Sequence, residues 1–360
     1  MSEDVATDEG QTPPRRRTGR IALLVSLGIL VLLAVVAVGL VWAFQSRLDA
    51  NIERIPDPFE QLTDRPTQMA TDDDGDDEDD DGDPPVNFLL LGTDSRISAG
   101  DPSQWQAGAQ RTDAMMLVQL SGDREAVTVM SIPRDSWVEI PGHGEHKINA
   151  AFSFGGPALA IQTVEDLTGV RIDHLAIADF ESFSALTDEL GGVDITLTQP
   201  LTVGGVTLDP GMHRLDGDQA LRYARERYNV AGGDFGRVQR QQNWMRAIMV
   251  RTFERDVLTN PGRLMGMLET VSESIAVDEG LSIGTMRDMA ISSRNLRPGG
   301  VQFITAPNLG TGRSPDGAQS IVLLDFEAFD QIAEAYAEGA AAEFLEDNPD
   351  IAPRLGSRVS

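Results

Sequence analysis

The sequence predicts an α/β domain with a central mixed sheet covered by helices on both faces, preceded by one membrane-spanning helix. Three observations carry this. Short apolar runs bounded by turn residues alternate with segments of helical periodicity, the pattern of an α/β layer fold. Two of the runs are joined by a tight turn, so the sheet is not purely parallel. And from Ile21 to Phe44 the chain carries no charge and no proline, with Ser26 its polar interruption, enough helix to cross a hydrocarbon core about 30 Å thick.

Taken in order, Met1–Arg20 reads as a basic tail in which Arg15, Arg16, Arg17 and Arg20 precede the span, while the next basic residue is Arg47. By the positive-inside rule the tail is cytoplasmic and everything after the span lies outside. A cleaved signal peptide would end its apolar region in small residues, whereas this one ends in Val41, Trp42 and Phe44. Residues 45–84 read as an acidic disordered linker, because Asp72 to Asp83 carries ten carboxylates and no apolar side chain; such a run is solvated and self-repelling and lacks the turn residues of an ordered calcium loop. The folded domain is expected over 85–345, with a flexible tail at 346–360.

Within that domain Val86–Gly92, Ala114–Leu120 and Ala126–Ile132 read as strands, the last two split by the turn Ser121-Gly-Asp-Arg124. Helical periodicity follows at Pro157–Leu167, closed by Gly169, and at Phe180–Glu189, closed by Gly191-Gly192. Leu175–Ala178, Val193–Leu197 and Val301–Thr305 read as strands, and Asp325–Leu345 as one amphipathic helix.

Composition narrows the function. The formal net charge of -28 argues against nucleic acid as a partner. There is no cysteine, so packing alone must hold the outer domain. Of 29 basic residues the single lysine is Lys147. Yet arginines gather at element ends. Gly92-Thr-Asp-Ser-Arg96 follows the first strand and Arg111-Thr-Asp113 precedes the second. If those strands are neighbours, Asp94 and Asp113 can share a hard cation such as Mg2+, which takes one or two carboxylates with waters and phosphate oxygens. Ser131-Ile-Pro-Arg134-Asp135 ends the third strand, where Pro133 stops the ladder. In His143-Gly-Glu-His-Lys147-Ile-Asn149, Lys147 and Asn149 alternate on one side of an extended segment; the two histidines lack a third ligand at zinc spacing.

The densest signal is Leu215 to Tyr228 followed by Asp234 to Gln242. Arg225 and Arg227 would diverge on a helix but point the same way on a strand, so a helix from Asp216 or Asp218 is expected to give way to extended chain at about Tyr223. Asp234 is expected to cap a helix that places Arg237, Arg240 and Gln241 on one face, near an N-terminus that already favours anions. Arginine forks suit phosphate oxygens, so a polyanionic ligand accounts for the cluster.

The ordered strings Leu-Leu-Gly-Thr-Asp94-Ser-Arg96, Arg111-Thr-Asp113, Ser-Ile-Pro-Arg134-Asp, Lys147-Ile-Asn-Ala-Ala, Gly-Gly-Val-Asp194, Asp-Gly-Asp-Gln-Ala-Leu221, Tyr-Ala-Arg225-Glu-Arg227 and Gly-Asp-Phe-Gly-Arg237-Val-Gln-Arg240-Gln241 closely resemble the LytR-CpsA-Psr family. The resemblance covers about Val86 to Arg255. It implies an α-β-α sandwich enclosing a long apolar lipid pocket. It further implies a cell-wall phosphotransferase that moves a glycopolymer from a polyprenyl-pyrophosphate carrier to peptidoglycan, at the 6-hydroxyl of N-acetylmuramic acid. The matching positions for Mg2+ are Asp94 and Asp113, and those for the pyrophosphate Arg96, Arg134, Arg225, Arg227, Arg237 and Gln241, with Lys147, Arg111 and Arg240 as further candidates. Asp94, Asp113, Arg134, Arg225 and Arg227 would be the catalytic set. Two alternatives keep the same ligand: a non-catalytic regulator that binds the lipid, and a pyrophosphatase in which water replaces the sugar hydroxyl.

Overall fold

The computed structural model describes residues 43, 45–67, 83–93, 112–225, 233–252, 254, 260–353 and 358–359. In chain order the elements are β1 (Glu53–Ile55), β2 (Val86–Thr93), β3 (Thr112–Leu120), β4 (Val127–Ser131), β5 (Trp137–Ile140), β6 (Gly144–Lys147), α1 (Ala150–Thr168), β7 (His174–Asp179), α2 (Phe180–Glu189), β8 (Val193–Leu197), β9 (Leu201–Val203), β10 (Val206–Leu208) and β11 (Gly211–Leu215). They continue as α3 (Gly217–Arg225), α4 (Gly233–Thr252), α5 (Pro261–Ser274), β12 (Ile275–Asp278), α6 (Ile283–Ser292), β13 (Val301–Thr305), β14 (Asn308–Arg313), β15 (Ser320–Leu324), α7 (Phe326–Ala337), α8 (Ala341–Asp347) and β16 (Arg358–Val359).

Among the described residues seven strands form the central sheet, in the order β1-β12-β7-β2-β3-β4-β13. It is mixed, as predicted: β2 is antiparallel to β3 and parallel to β7, and β3 and β4 form the expected hairpin. Its faces differ. Leu89, Leu91, Met115, Leu117 and Met130 are fully buried on one side, packed in a core with Ala160, Ile161 and Val164 of α1 and Phe329, Ile332 and Tyr336 of α7. The alternate residues Phe88, Leu90, Val118 and Ala176 face the other way and are only partly buried among the described residues. Met116, Val129 and Phe303 share that second face with Met245 and Met249 of α4. A strand alternates its side chains between faces, so this difference is a property of the two layers and not of the strand sequences, which are apolar on both.

A second core, built on Trp244, Tyr223, Val193, Ile195 and Leu215, joins α2 to α5 to a three-stranded sheet in the order β11-β8-β16. Two of its buried polar groups are paired: the Trp244 indole donates to Thr187 Oγ1 at 3.0 Å and the Asn243 amide to the Tyr223 hydroxyl at 3.2 Å. Burial pushes the Tyr223 phenol up to about 12.

Several expectations are corrected. The start of the supposed linker belongs to the fold: β1 pairs in parallel with β12, and the Arg65 guanidinium grips the buried Glu165 carboxylate with an Nη2–Oε1 distance of 2.6 Å. The acid-rich run hid this, because β1 is three residues long and its partner β12 lies more than 200 positions away. The tail is also tied down, since Thr305 donates its amide to Pro353 O at 3.0 Å and Arg358–Val359 pairs with β8. α1 starts at Ala150, ahead of the predicted Pro157, with a break at Gly155 and Gly156 that Pro157 restarts. The single C-terminal helix is two, α7 and α8, separated where Gly339 takes a φ of 72°. Val193–Leu197 forms a strand, but outside the central sheet. The helix expected to end at Tyr223 runs on to Arg225. Apart from Ala43, the predicted span Ile21–Phe44 lies outside the described residues, and no helix among those described is long and apolar enough to cross a membrane.

Candidate functional site

The site is set at the end of the sheet where β2 finishes and β3 begins. Their register runs Gly92 opposite Ala114 and then Thr93 opposite Thr112, so Asp113 has no partner across the ladder. It is the extra residue of a bulge, a device that re-aims a side chain at a strand end. Gly92 allows the close approach: a Cβ there would stand 3.0 Å from the Ala114 Cβ. Asp113 is 5% exposed.

Its partner arrives from β4. After Ser131 the ladder to β3 ends, and a turn closed by Ser136 N donating to Pro133 O at 2.9 Å places Arg134 and Asp135 at its corner. Arg134 forms an ion pair with Asp113. Asp135 pairs with Lys147 at the end of β6, at 3.1 Å. The turn is fastened from both flanks: Asn149 N donates to Arg134 O at 3.2 Å, Ile148 N to Ser136 O at 2.8 Å, and Val322 N to Asp135 O at 2.8 Å. Two neighbouring residues thus hold two ion pairs side by side. The four side chains are between 7% and 24% exposed, sheltered from bulk water but reachable.

Sequence reasoning named Asp113, Arg134 and Lys147, and the structure brings all three together with Asp135. The expected alternation of Lys147 and Asn149 along one extended side is corrected: Asn149 has φ -66° and ψ -15°, and caps α1. Asp94, Arg96, Arg111 and Arg227 lie outside the described residues. Arg237 lies on α4, and its side chain is outside the description. Arg225 is the last residue of α3 and is exposed, so the expectation of an extended segment aiming it beside Arg227 is corrected; Ala220, Tyr223 and Ala224 keep the helix going by packing into the second core. Arg240 is 1% exposed and donates from Nε to Tyr223 O at 3.2 Å, which fastens the last turn of α3 to α4. Gln241 is 3% exposed, and its Oε1 has no hydrogen-bond partner among the described residues.

Asp135 and Thr112 are the members that sequence reasoning passed over. Asp135 was visible only as the residue after Arg134. Thr112 is fully buried next to Asp113 with its hydroxyl oxygen unpaired among the described residues. A hydroxyl and a carboxylate are oxygen ligands of the kind that a hydrated Mg2+ takes. Among the described residues no three His, Cys, Asp or Glu side chains gather as a metal site.

The model of the LytR_cpsA_psr family matches residues 59–337. Among curated relatives, the cell wall biosynthesis protein LcpA of Corynebacterium glutamicum is 30% identical over 312 residues, covering 75% of this chain and 60% of that protein. The regulatory protein MsrR of Staphylococcus aureus is 36% identical over 216 residues, covering 58% of this chain and 63% of that one. The chain therefore spans less than two thirds of the length of either relative. The solved structure of TagT bound to LI-WTA superposes with a TM-score of 0.54 at 26% identity, over 71% of this chain and 90% of the other. A mixed sheet shared with TagT, and a family match that reaches from Phe59 beside β1 to the end of α7, mean that this chain belongs to the LytR-CpsA-Psr family.

Proposed function

We propose that the chain is an extracytoplasmic, membrane-anchored phosphotransferase that moves a glycopolymer from a polyprenyl-pyrophosphate carrier to peptidoglycan and forms a phosphodiester. The observation that carries this reading is that one sheet bears two chemistries. Ion-paired Asp113 and Arg134 sit where β3 begins and after β4 ends, with Lys147 of β6 paired to Asp135 beside them, and further along β2 and β3 the second face carries Phe88, Leu90 and Val118, apolar and only partly buried. A lipid pyrophosphate has that division, an apolar tail and a polyanionic head. The family relation to LcpA and the likeness to TagT bound to LI-WTA support a cell-wall glycopolymer as the cargo.

In this reading Arg134 and Lys147 hold the pyrophosphate oxygens, with Arg96, Arg111, Arg225, Arg227, Arg237 and Gln241 as further ligands. Asp94 and Asp113 would hold Mg2+, which when bound neutralises charge on the pyrophosphate. Phosphoryl transfer asks a protein mainly for positioning and charge stabilisation. The acceptor hydroxyl oxygen bonds to the phosphorus that carries the glycan, the bond from that phosphorus to the bridging oxygen breaks, and polyprenyl phosphate leaves. The hydroxyl proton passes to a carboxylate of the site, Asp113 being the candidate. The relation to the regulatory protein MsrR favours a second reading, a regulator that binds the same lipid without transfer.

The carrying observation is tested by Leu90→Glu on the open face. Binding of a polyprenyl pyrophosphate should be lost while inorganic pyrophosphate still binds, the latter showing that the domain stays folded although Leu90 packs against the core of Met116 and Met245. Equal binding of the lipid by both proteins would remove the lipid from the proposal.

A further inference from the structure

Outside the ion-paired site, the strongest unassigned feature is a set of rings where the β5–β6 hairpin meets the break in α1. Phe154 is 37% exposed, although its neighbours Phe152 and Ser153 are buried at 4% and 8%. It is gripped in place: the His143 ring stacks on it at 4.6 Å and 20°, and the His146 ring meets it edge-on at 5.2 Å and 79°. Trp137 continues the row, 6.1 Å from His146. The backbone is shaped to present these rings. Gly142 and Gly144 take φ of 76° and 73° on either side of His143, values at which a side chain is strained. Gly155, at the α1 break, lies where a Cβ would meet Leu159 at 2.5 Å. An exposed Phe alone is ordinary. One held between two imidazoles combines a flat apolar surface with hydrogen-bonding ring nitrogens at its rim. A pyranose ring has the matching shape, an apolar face of C–H bonds bordered by hydroxyls.

The row is continuous with the site. Trp137 lies opposite Lys147 in the hairpin, Lys147 pairs with Asp135, and Asp135 follows Arg134. It also lies on a particular side. Val138, Ile140, Ile148 and Phe152 belong to the closely packed core that includes Leu89 and Leu91, whereas the open apolar face carries Phe88 and Leu90. The hairpin that bears the rings therefore packs on the opposite side of the sheet from the face assigned above to the lipid. In-line transfer needs the attacking oxygen on the far side of the phosphorus from the leaving oxygen.

We propose that Phe154, His143, His146 and Trp137 form the subsite for the acceptor, and that one pyranose ring of the peptidoglycan glycan strand lies on the exposed face of Phe154. This rests on the transferase reading above. The test compares the full chain with Phe154→Ala, His143→Ala and Phe154→Trp, using an undecorated peptidoglycan oligomer both as acceptor and, by calorimetry, as a ligand in the absence of donor. The two alanine variants should raise the acceptor KM and weaken oligomer binding by about three- to tenfold, the scale of one ring contact. Donor KM and kcat at saturating acceptor should stay the same, and Phe154→Trp should bind like wild type. Unchanged acceptor KM and binding in both alanine variants would overturn the subsite. A rise in donor KM alone would overturn its assignment to the acceptor. If wild type binds the oligomer but transfers nothing, and Phe154→Ala loses that binding, the subsite stands and the transferase reading falls.

Discussion

Glu165 joins a segment expected to be linker to the core of the domain, and cutting that link has a calculable cost. The Glu165 side chain is 2% exposed and that of Arg65 14%. The carboxylate accepts from Arg65 Nε at 3.1 Å, from Nη2 at 2.6 Å and from the Ile172 amide at 2.9 Å. The guanidinium also lies 4.6 Å over the Phe59 ring. Removing one partner of a buried pair costs about 3–5 kcal/mol, because the other charge stays buried alone. Arg65 is partly exposed, so water screens some of this, and Arg65→Ala should cost about 2–3 kcal/mol. Glu165→Gln keeps an acceptor for Ile172 and should cost about 1–2 kcal/mol. Replacing both residues by apolar ones of similar volume, Arg65→Met with Glu165→Leu, should recover most of the loss. Urea unfolding followed by circular dichroism reads this as a midpoint shift of about 1 M for Arg65→Ala, with an unchanged slope near 2–3 kcal/mol/M. A shift below about 0.5 kcal/mol in Arg65→Ala would mean that the segment around Arg65 is no part of the cooperative fold.

Three further outcomes follow from the geometry. Gly92→Ala forces its Cβ against Ala114 at 3.0 Å, so it should lose about 1–3 kcal/mol in thermal unfolding and lower activity through Asp113; the double variant with Ala114→Gly should restore both, and failure of the rescue would count against the bulge as the cause. Arg134→Ala should reduce kcat/KM by about ten- to a hundredfold, the value of one charge-assisted contact in the transition state, and Arg134→Lys should recover it only in part because the two-pronged fork is lost; a fully active Arg134→Ala removes Arg134 from the mechanism. Burial raises the Asp173 carboxyl above its usual value, against the opposing hydrogen bond from Asn87. Its favourable contribution is therefore present below the ordinary carboxylate pKa and lost as pH rises through the raised one. Asp173→Asn does not titrate, so its melting temperature should gain on wild type from acid to neutral pH; a constant difference across that window would refute this.

What could be read from the sequence followed the reach of each signal. Leu89, Leu91, Met115 and Leu117 announced their strands by apolar runs, and Gly169 and Gly191 announced helix ends through backbone that takes a positive φ. Arg134 and Lys147 were found because the residues around them are few-choice: a proline that ends a ladder, and a single lysine. β1 was missed because a strand of three residues has no period to detect, and its pairing with β12 is set by tertiary contact. The Tyr223 region was misread for a related reason. The spacing of Arg225 and Arg227 suited a strand, but Ala220, Tyr223 and Ala224 supply a helical apolar face to a core whose other half, Trp244 and Ala247, comes from α4. Side-chain pairing was invisible throughout, as with Asp135 and Lys147, which lie 12 positions apart and meet only through the Pro133 turn.

The central claim is that Asp113 and its partners transfer a glycan phosphate. The direct measurement supplies the full chain in detergent with a polyprenyl-pyrophosphate glycan, Mg2+ and a peptidoglycan oligomer, and weighs the oligomer by mass spectrometry. The account predicts a gain of one glycan phosphate on the oligomer with wild type and none with Asp113→Ala. Bound lipid with no change in the oligomer, or release of free glycan phosphate alone, would contradict transfer, and an equal gain with Asp113→Ala would contradict the site.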